Sequence, residues 1–133
     1  MLEGDRMNNL SAQKKILIVD DDPAVCNMLE KLLKVHRYST LTAQDGLQAL
    51  NAARTGKPDL IILDVMLPGM DGYKVCRWIK FDQQLKKIPV MILTSRMSPQ
   101  DEQLAFECGA DAFVTKAVKT EVIVSHVKKL LEL

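Results

Sequence analysis

The sequence predicts an α/β protein with one doubly wound parallel sheet of five strands. Five short strand-like runs alternate with five segments of helical periodicity, and the links between them are short. Alternation of this kind favours parallel strands joined by right-handed crossovers, with helices on both faces of the sheet. A chain of 133 residues fits one domain with a core of its own, and we detect no internal repeat.

The first strand and helix follow a stretch without useful periodicity. We predict a flexible N-terminal tail over residues 1–13 and a single domain over residues 14–133. Residues 16–19 are all apolar, as expected for a strand covered on both faces. Asp22 and Pro23 are typical of a helix cap and a first helical residue. The inward side chains predicted for this helix are Val25, Met28, Leu29, Leu32 and Leu33.

The middle of the chain holds the second and third strands. Residues 38–43 are moderately polar, which indicates a position nearer an edge of the sheet. A short helix is predicted over residues 47–54. Residues 60–63 are uniformly apolar and end at Asp64, before a Pro-Gly-Met-Asp-Gly loop. An acid at this place lies where ligands bind in open α/β sheets, outside the carboxyl ends of the strands.

Two strands and three helices complete the alternation. The strands are predicted over residues 89–93 and 112–114. Asp71 can cap the third helix, Pro99 can open the fourth and Thr120 can cap the fifth. The inward faces predicted for these helices are Val75, Cys76 and Ile79, then Leu104, Ala105 and Cys108, and finally Ile123, Val127, Leu130 and Leu131.

Composition argues against several classes of protein. The net charge of +1 gives no long-range field, so neither nucleic acid nor a membrane surface is predicted as a direct partner. No apolar run approaches the roughly 20 residues of a membrane span, and the N-terminus lacks a signal-peptide core. The three cysteines form no CxxC pair, which favours reduced thiols in a cytoplasmic protein over a disulfide framework or a zinc site.

Polar side chains gather where the predicted strands end. Asp20 and Asp21 follow the first strand, Asp64 the third, Thr94 the fourth and Lys116 the fifth. Because parallel strands share one carboxyl edge, we expect these residues on a single rim. Three close carboxylates repel one another, and a cation, the lysine, or both would relieve that repulsion. Oxygen ligands of this kind suit Mg²⁺.

This set of side chains is equipped for phosphoryl transfer. A divalent cation screens charge between a carboxylate nucleophile and an incoming phosphoryl group. Lys116 and Thr94 can bind phosphoryl oxygens, and a covalent aspartyl phosphate is a known use of such an acid. Plainer interpretations stay open: a capping cluster for the three aspartates, a strand-end hydroxyl for Thr94 and a surface charge for Lys116.

Four sequence motifs carry a family resemblance. They are ILIVDDDP at residues 16–23, Asp64 with MLPGMDG at residues 66–72, PVMILTS at residues 89–95 and GADAFVTK at residues 109–116. With these motifs in order and at the family's spacing, the sequence from about residue 14 onward resembles the receiver domains of two-component response regulators. That group includes the chemotaxis response regulator. The resemblance implies a flavodoxin-like fold of five βα units with strand order 2-1-3-4-5.

The resemblance also implies a role for each acid of the rim. Asp64 would be the phosphoacceptor, supplied by a sensor histidine kinase or a phosphotransfer protein. Asp21, Asp64 and the backbone carbonyl of Met66 would hold Mg²⁺ or Mn²⁺, and Asp20 would act through metal-bound water. The domain would catalyse only its own phosphorylation and dephosphorylation, so turnover of a separate substrate, as by an enzyme, is not predicted.

The same resemblance assigns Thr94 and Lys116 to the phosphoryl group and Phe113 to the switch coupled to it. Phe113 stands where the family often has Tyr and is equally well explained as a packed core aromatic; Val118 replaces a common Phe. Ala117 stands where the family usually has Pro, often in a cis peptide. A cis bond here would cost roughly 2.5–4 kcal/mol, which favours a trans peptide and leaves the position of Lys116 open.

Signalling would follow from a change in the surface of the fourth helix, fifth strand and fifth helix. That change would alter the affinity for a downstream effector protein or an output domain. An alternative is a receiver-like interaction module that acts without phosphorylation, motivated by Ala117 and Phe113. A phosphatase with an aspartyl nucleophile is disfavoured, because those enzymes need a second Asp at the position that Met66 occupies.

Overall fold

The computed structural model describes residues 13–132. The N-terminal tail predicted over residues 1–13 lies outside them, except for Gln13. The side-chain amide of Gln13 donates to the carbonyl oxygen of Arg37 (2.7 Å). Among the described residues, none of the helices combines the length and apolar character that a bilayer crossing requires.

Within the described residues, five strands and five helices alternate. The strands are β1 (Lys15–Val19), β2 (Ser39–Ala43), β3 (Leu60–Leu63), β4 (Val90–Thr94) and β5 (Ala112–Thr115). The helices are α1 (Pro23–Val35), α2 (Gly46–Gly56), α3 (Gly72–Phe81), α4 (Pro99–Glu107) and α5 (Thr120–Leu131). All pairs are parallel, in the order β2-β1-β3-β4-β5, so the predicted fold class and strand order are confirmed.

The sheet separates two apolar layers. Alternate strand residues such as Leu17 and Ile61 pack with α2, α3 and α4, whereas Ile16 and Ile62 pack with α1 and α5. Every residue of β3 is at most 2% exposed. Burial on both faces explains why β1 and β3 read as continuous apolar runs, while the edge strand β2 tolerates polar residues.

Two helices bury a narrower face than the sequence pattern predicts. In α1 the buried residues are Cys26, Leu29 and Leu33, whereas Met28 is 42% exposed. Leu104 of α4 was also predicted to face inward and is 36% exposed. Successive helical residues are about 100° apart, so the residue that precedes a directly inward side chain is turned sideways. The prediction of inward positions for Met28 and Leu104 is therefore wrong.

Of the three helix caps predicted from the sequence, the structure confirms two. Asp22 and Asp71 are confirmed as caps, because each carboxylate accepts a backbone N–H two residues on at 2.9 Å. Thr120 is not a cap. Lys119 has extended backbone angles and takes that position, so Thr120 is already the first helical residue.

Gly72 sets the distance between the start of α3 and the end of β3. A Cβ at this position would collide with the Cα of Val65 and the carbonyl oxygen of Asp64. The N–H of Gly72 also donates to the carbonyl of Val65 (3.0 Å). Glycine therefore allows α3 to begin directly behind Asp64.

Candidate functional site

Three carboxylates meet at the carboxyl edge of the sheet. Asp20 and Asp21 follow β1, and Asp64 follows β3, its neighbour in the sheet. One oxygen from each carboxylate lies within 4.8 Å of the other two. Asp20 and Asp64 are only 2% and 4% exposed, whereas Asp21 is exposed. The strand ends thus bring together one compact group, which we call the acidic cluster: Asp20, Asp21 and Asp64.

The backbone holds the two buried acids of this cluster. The N–H groups of Asp20 and Asp64 donate to carbonyls at the ends of neighbouring strands (3.0 and 2.9 Å). The Oδ1 of Asp20 accepts from the N–H of Asp22 (2.9 Å), and the Oδ1 of Asp64 accepts from the N–H of Met66 (3.0 Å). One oxygen of each acid is therefore fixed by the turn that follows its strand.

Lys116 reaches the acidic cluster from the end of β5. Its Nζ lies 2.8 Å from the Oδ2 of Asp20 and 2.7 Å from the Oδ2 of Asp64. Its backbone N–H donates to the carbonyl of Thr94 (2.9 Å), which anchors the residue beside β4. The Lys116–Ala117 peptide is trans, as the sequence favours, and the ammonium group contacts both buried acids.

The acidic cluster carries more negative than positive charge. Burial raises the pKa of Asp20, and the hydrogen bond from Lys116 offsets only part of that effect. Burial acts to lower the pKa of Lys116, but its hydrogen bonds to Asp20 and Asp64 outweigh that effect and raise the pKa. Three carboxylates facing one ammonium group favour a further cation.

The donor set fits a hard divalent cation. All three donors are carboxylate oxygens, and Mg²⁺ prefers oxygen ligands while keeping several of its waters. A cavity of about 520 Å³ adjoins Asp21 and is also lined by Met66, Asp71 and Arg96. The side chain of Met66 is half exposed, so the loop after Asp64 borders this open space.

Thr94 and Phe113 lie on the adjacent strands β4 and β5. Thr94 is completely buried, and its Oγ1 accepts from the N–H of Arg96 (3.2 Å). Phe113 is partly buried against the layer of α2, α3 and α4. Its ring also lines a cavity of about 320 Å³ together with Phe106 and His126. Thr94 is the last residue of β4 and Phe113 lies within β5, and their action as a switch stays a prediction.

A second polar group, at the start of α4, was not found from the sequence. The carboxylate of Asp101 accepts hydrogen bonds from Ser98 and Tyr73 and pairs with Arg96. The spacing of Ser98 and Asp101 follows a capping-box pattern that could have revealed part of this group. Tyr73 belongs to another helix, 28 residues away in the chain, and no local pattern indicates its contact.

Comparison with known proteins identifies a family for this architecture. Residues 16–128 match the model of the response regulator receiver domain. The chain is 42% identical over 118 residues to the alkaline phosphatase synthesis transcriptional regulatory protein PhoP of Bacillus subtilis, covering 89% of this chain and 48% of that protein. It is 40% identical over 119 residues to the DNA-binding response regulator MtrA of Mycolicibacterium smegmatis, with coverages of 90% and 51%. The chain spans about half the length of these curated relatives.

Solved structures show the same likeness. The signal receiver domain of a signal transduction histidine kinase from Syntrophus aciditrophicus is 44% identical, with a TM-score of 0.83 and 90% of each chain covered. The BeF3-activated N-terminal receiver domain of Klebsiella pneumoniae RstA is 32% identical, with a TM-score of 0.85. That alignment covers 90% of this chain and 100% of the other. The residues matched by the family model contain the whole acidic cluster and Lys116.

Proposed function

The chain belongs to the response regulator receiver family, and from that membership we propose that Asp64 is the residue that accepts the phosphoryl group. Receiver domains of response regulators are signalling switches, and acceptance of a phosphoryl group from a kinase is their input. One observation carries the assignment: the Nζ of Lys116 lies 2.7 Å from Asp64, inside a cluster of three carboxylates. Asp64 therefore lies beside an ammonium group that can bind phosphoryl oxygens and beside carboxylates that can bind a cation.

The surroundings of Asp64 fit its proposed role. Residues 65–68, which directly follow Asp64, line a cavity of about 520 Å³ together with Asp21, so a phosphoryl donor can approach the acidic cluster from this side. Asp64 also follows the central strand β3, and its backbone N–H donates to the carbonyl of Val19 at the end of β1 (2.9 Å). Asp21 is exposed and therefore free to ligate a hydrated ion.

The chemical step is an attack by a carboxylate oxygen of Asp64 on the phosphorus of a phosphohistidine. The P–N bond breaks, its electron pair stays on the imidazole nitrogen, and an acyl phosphate forms on Asp64. Bound Mg²⁺, or Mn²⁺, would supply charge neutralisation between the nucleophile and the phosphoryl oxygens. We expect Asp21, Asp64 and the backbone carbonyl of Met66 to hold the ion, with Asp20 acting through water.

The remaining residues respond to the added charge. A phosphoryl group brings about −1.5 to −2 charges and strong hydrogen-bond acceptors. Lys116 would transfer one of its contacts from the carboxylate to a phosphoryl oxygen, and the Thr94 hydroxyl would donate to another. Movement of Thr94 and Phe113 would then change the surface formed by α4, β5 and α5. We propose that this surface binds a downstream effector protein or output domain in the cytoplasm.

A phosphorylation assay with acetyl phosphate and Mg²⁺ tests the assignment. Intact-mass spectrometry should show one added phosphoryl group on the wild-type protein and none on Asp64→Asn or on protein treated with a chelator. Asp111→Asn is the control, because it removes a carboxylate that pairs with Lys80 outside the acidic cluster and should still be phosphorylated. A wild-type protein that gains no mass, or an Asp64→Asn protein that gains it, would contradict the proposal.

The alternative of an interaction module without phosphorylation loses its main motive. It rested on Phe113 and, chiefly, on Ala117, which replaces the proline expected after Lys116. The Lys116–Ala117 peptide is trans, and the ammonium group of Lys116 nevertheless contacts Asp20 and Asp64. The replacement of proline therefore does not remove the phosphate-binding cation from the site.

A further inference from the structure

Asp101, in the first turn of α4, is held by donors from three directions. Its Oδ2 accepts from the hydroxyl of Ser98 (2.6 Å) and from the N–H of Ser98 (3.1 Å). Its Oδ1 accepts from the hydroxyl of Tyr73 (3.0 Å) and lies 3.3 Å from the Nε of Arg96. We call this group the α4 latch: Tyr73, Arg96, Ser98 and Asp101.

Tyr73 connects the α4 latch to the region behind the acidic cluster. It is only 4% exposed, and its hydroxyl also lies within bonding distance of the Asp101 carbonyl (3.3 Å). Its backbone N–H donates to the capping carboxylate of Asp71 (2.9 Å). The preceding residue, Gly72, packs on the backbone of Val65 just after Asp64. The phenol is therefore anchored to the end of β3 and reaches across to α4.

Arg96 connects the other side of the α4 latch to Thr94. The N–H of Arg96 donates to the Oγ1 of Thr94 (3.2 Å), while its guanidinium pairs with Asp101. If the hydroxyl of Thr94 turns toward a phosphoryl group, that backbone hydrogen bond must lengthen and residues 95–98 must adjust. The latch fixes the far end of this segment through Ser98 and Asp101.

We propose that Tyr73 is a positioning residue that acts through Asp101 and Arg96 to hold Thr94 in its unphosphorylated position. The inference rests on the proposed function, namely capture of phosphate by Asp64 and movement of Thr94. Tyr73 itself touches none of the reacting atoms. Tyr73 favours one of two arrangements of residues 95–98. Because the phosphoryl group requires the other arrangement, stabilisation of the first by Tyr73 opposes phosphoryl binding.

Removal of the Tyr73 hydroxyl should therefore tighten binding of a phosphoryl mimic. We would measure the affinity of the full chain for beryllofluoride in the presence of Mg²⁺, for the wild type and for Tyr73→Phe. A hydrogen bond present in only the free state predicts binding about 2- to 10-fold tighter in the variant. Tyr38→Phe is the matched control, because Tyr38 packs on the opposite face of the sheet and its variant should bind as the wild type does.

Thermal unfolding separates this role from a merely structural one. Tyr73→Phe should lower the melting temperature of the free protein more than that of the beryllofluoride-bound protein. Asp101→Asn, which weakens the same latch from the other partner of the hydrogen bond and leaves Tyr73 unchanged, should show the same inequality. A structural role would lower both melting temperatures equally and leave the affinity unchanged.

The outcomes distinguish the inference from the function on which it rests. Unchanged or weaker binding by both latch variants, with a wild-type protein that does bind beryllofluoride, overturns the role of Tyr73 and leaves the role of Asp64 intact. A wild-type protein that binds no beryllofluoride at all overturns both. Tighter binding with the unequal shift in melting temperature supports the inference.

Discussion

Asp20 in the acidic cluster and Asp101 in the α4 latch are both nearly buried, yet their environments act on them in opposite directions. Burial raises the pKa of Asp20, and the hydrogen bond from Lys116, which also pairs with Asp64, offsets only part of that effect. Hydrogen bonds from Ser98, led by its hydroxyl, and from Tyr73 outweigh burial and lower the pKa of Asp101. Asp20 has two donors, the N–H of Asp22 and the ammonium group that it shares with Asp64. Asp101 has four, from the hydroxyl and N–H of Ser98, the hydroxyl of Tyr73 and the guanidinium of Arg96.

By this difference the acidic cluster is suited to bind a cation, whereas the α4 latch stabilises the arrangement of the free protein. A buried carboxylate with too few donors is costly in the free protein and gains stability when a cation arrives. A carboxylate with all its donors supplied stabilises the free protein and gains nothing from an added ion. Of the two, the acidic cluster is therefore the one that should respond to metal and phosphate.

The largest loss of stability should come from removal of the Lys116 ammonium group, which contacts two acids of the acidic cluster. Without divalent cations, Lys116→Met should lower the free energy of unfolding by about 1–3 kcal/mol, since it leaves two buried acids unpaired at a partly exposed site. Urea unfolding measures this loss, and Mg²⁺ should restore part of it. Lys80→Met is the control, because Lys80 pairs with one half-exposed acid, Asp111, and its smaller loss should not respond to Mg²⁺. Equal responses of the two variants to Mg²⁺ would refute the contrast.

A pair of neutralising substitutions should change stability in opposite directions. In metal-free protein near neutral pH, Asp101→Asn should lower the melting temperature by several degrees, since it weakens a satisfied hydrogen-bond network. Asp20→Asn should raise it slightly, because a raised pKa means that the folded state disfavours the charged form. Differential scanning calorimetry of both variants provides the measurement. A loss of stability in both would show that Asp20 is as well satisfied as Asp101.

The smallest change in stability should come from ionisation of Tyr73 at alkaline pH. Burial and the hydrogen bond to Asp101 raise the pKa of Tyr73 to about 12. A raised folded pKa gives stability that is complete below the ordinary tyrosine pKa of about 10 and is lost as pH rises through about 12. Phenolate absorbance and melting temperature over this range should show the loss, and Tyr73→Phe should reduce it. Burial also raises the pKa of Tyr38, so Tyr38→Phe is the control variant. If Tyr38→Phe reduced the alkaline loss of stability more than Tyr73→Phe did, the loss would come from Tyr38 on the opposite face of the sheet.

The sequence predicted the strands and the acidic rim for a reason that does not depend on packing detail. Parallel strands joined by helices place all carboxyl ends on one edge, so Asp20, Asp64 and Lys116 had to share it. The inward faces of the helices were less predictable, as Met28 and Leu104 show. Those faces depend on how far each helix is rotated about its own axis against the sheet. A residue at the edge of the apolar stripe does not define that rotation.

What the sequence alone determined is the order of the elements and the identity of the residues at the strand ends, because both follow from local apolar patterns and the short links between them. Only the tertiary structure decided that Lys116 reaches both buried acids despite Ala117, and that Tyr73 meets Asp101 across 28 residues. Contacts of that kind arise between elements distant in the chain, where loop direction and helix packing, rather than local propensity, set the distances.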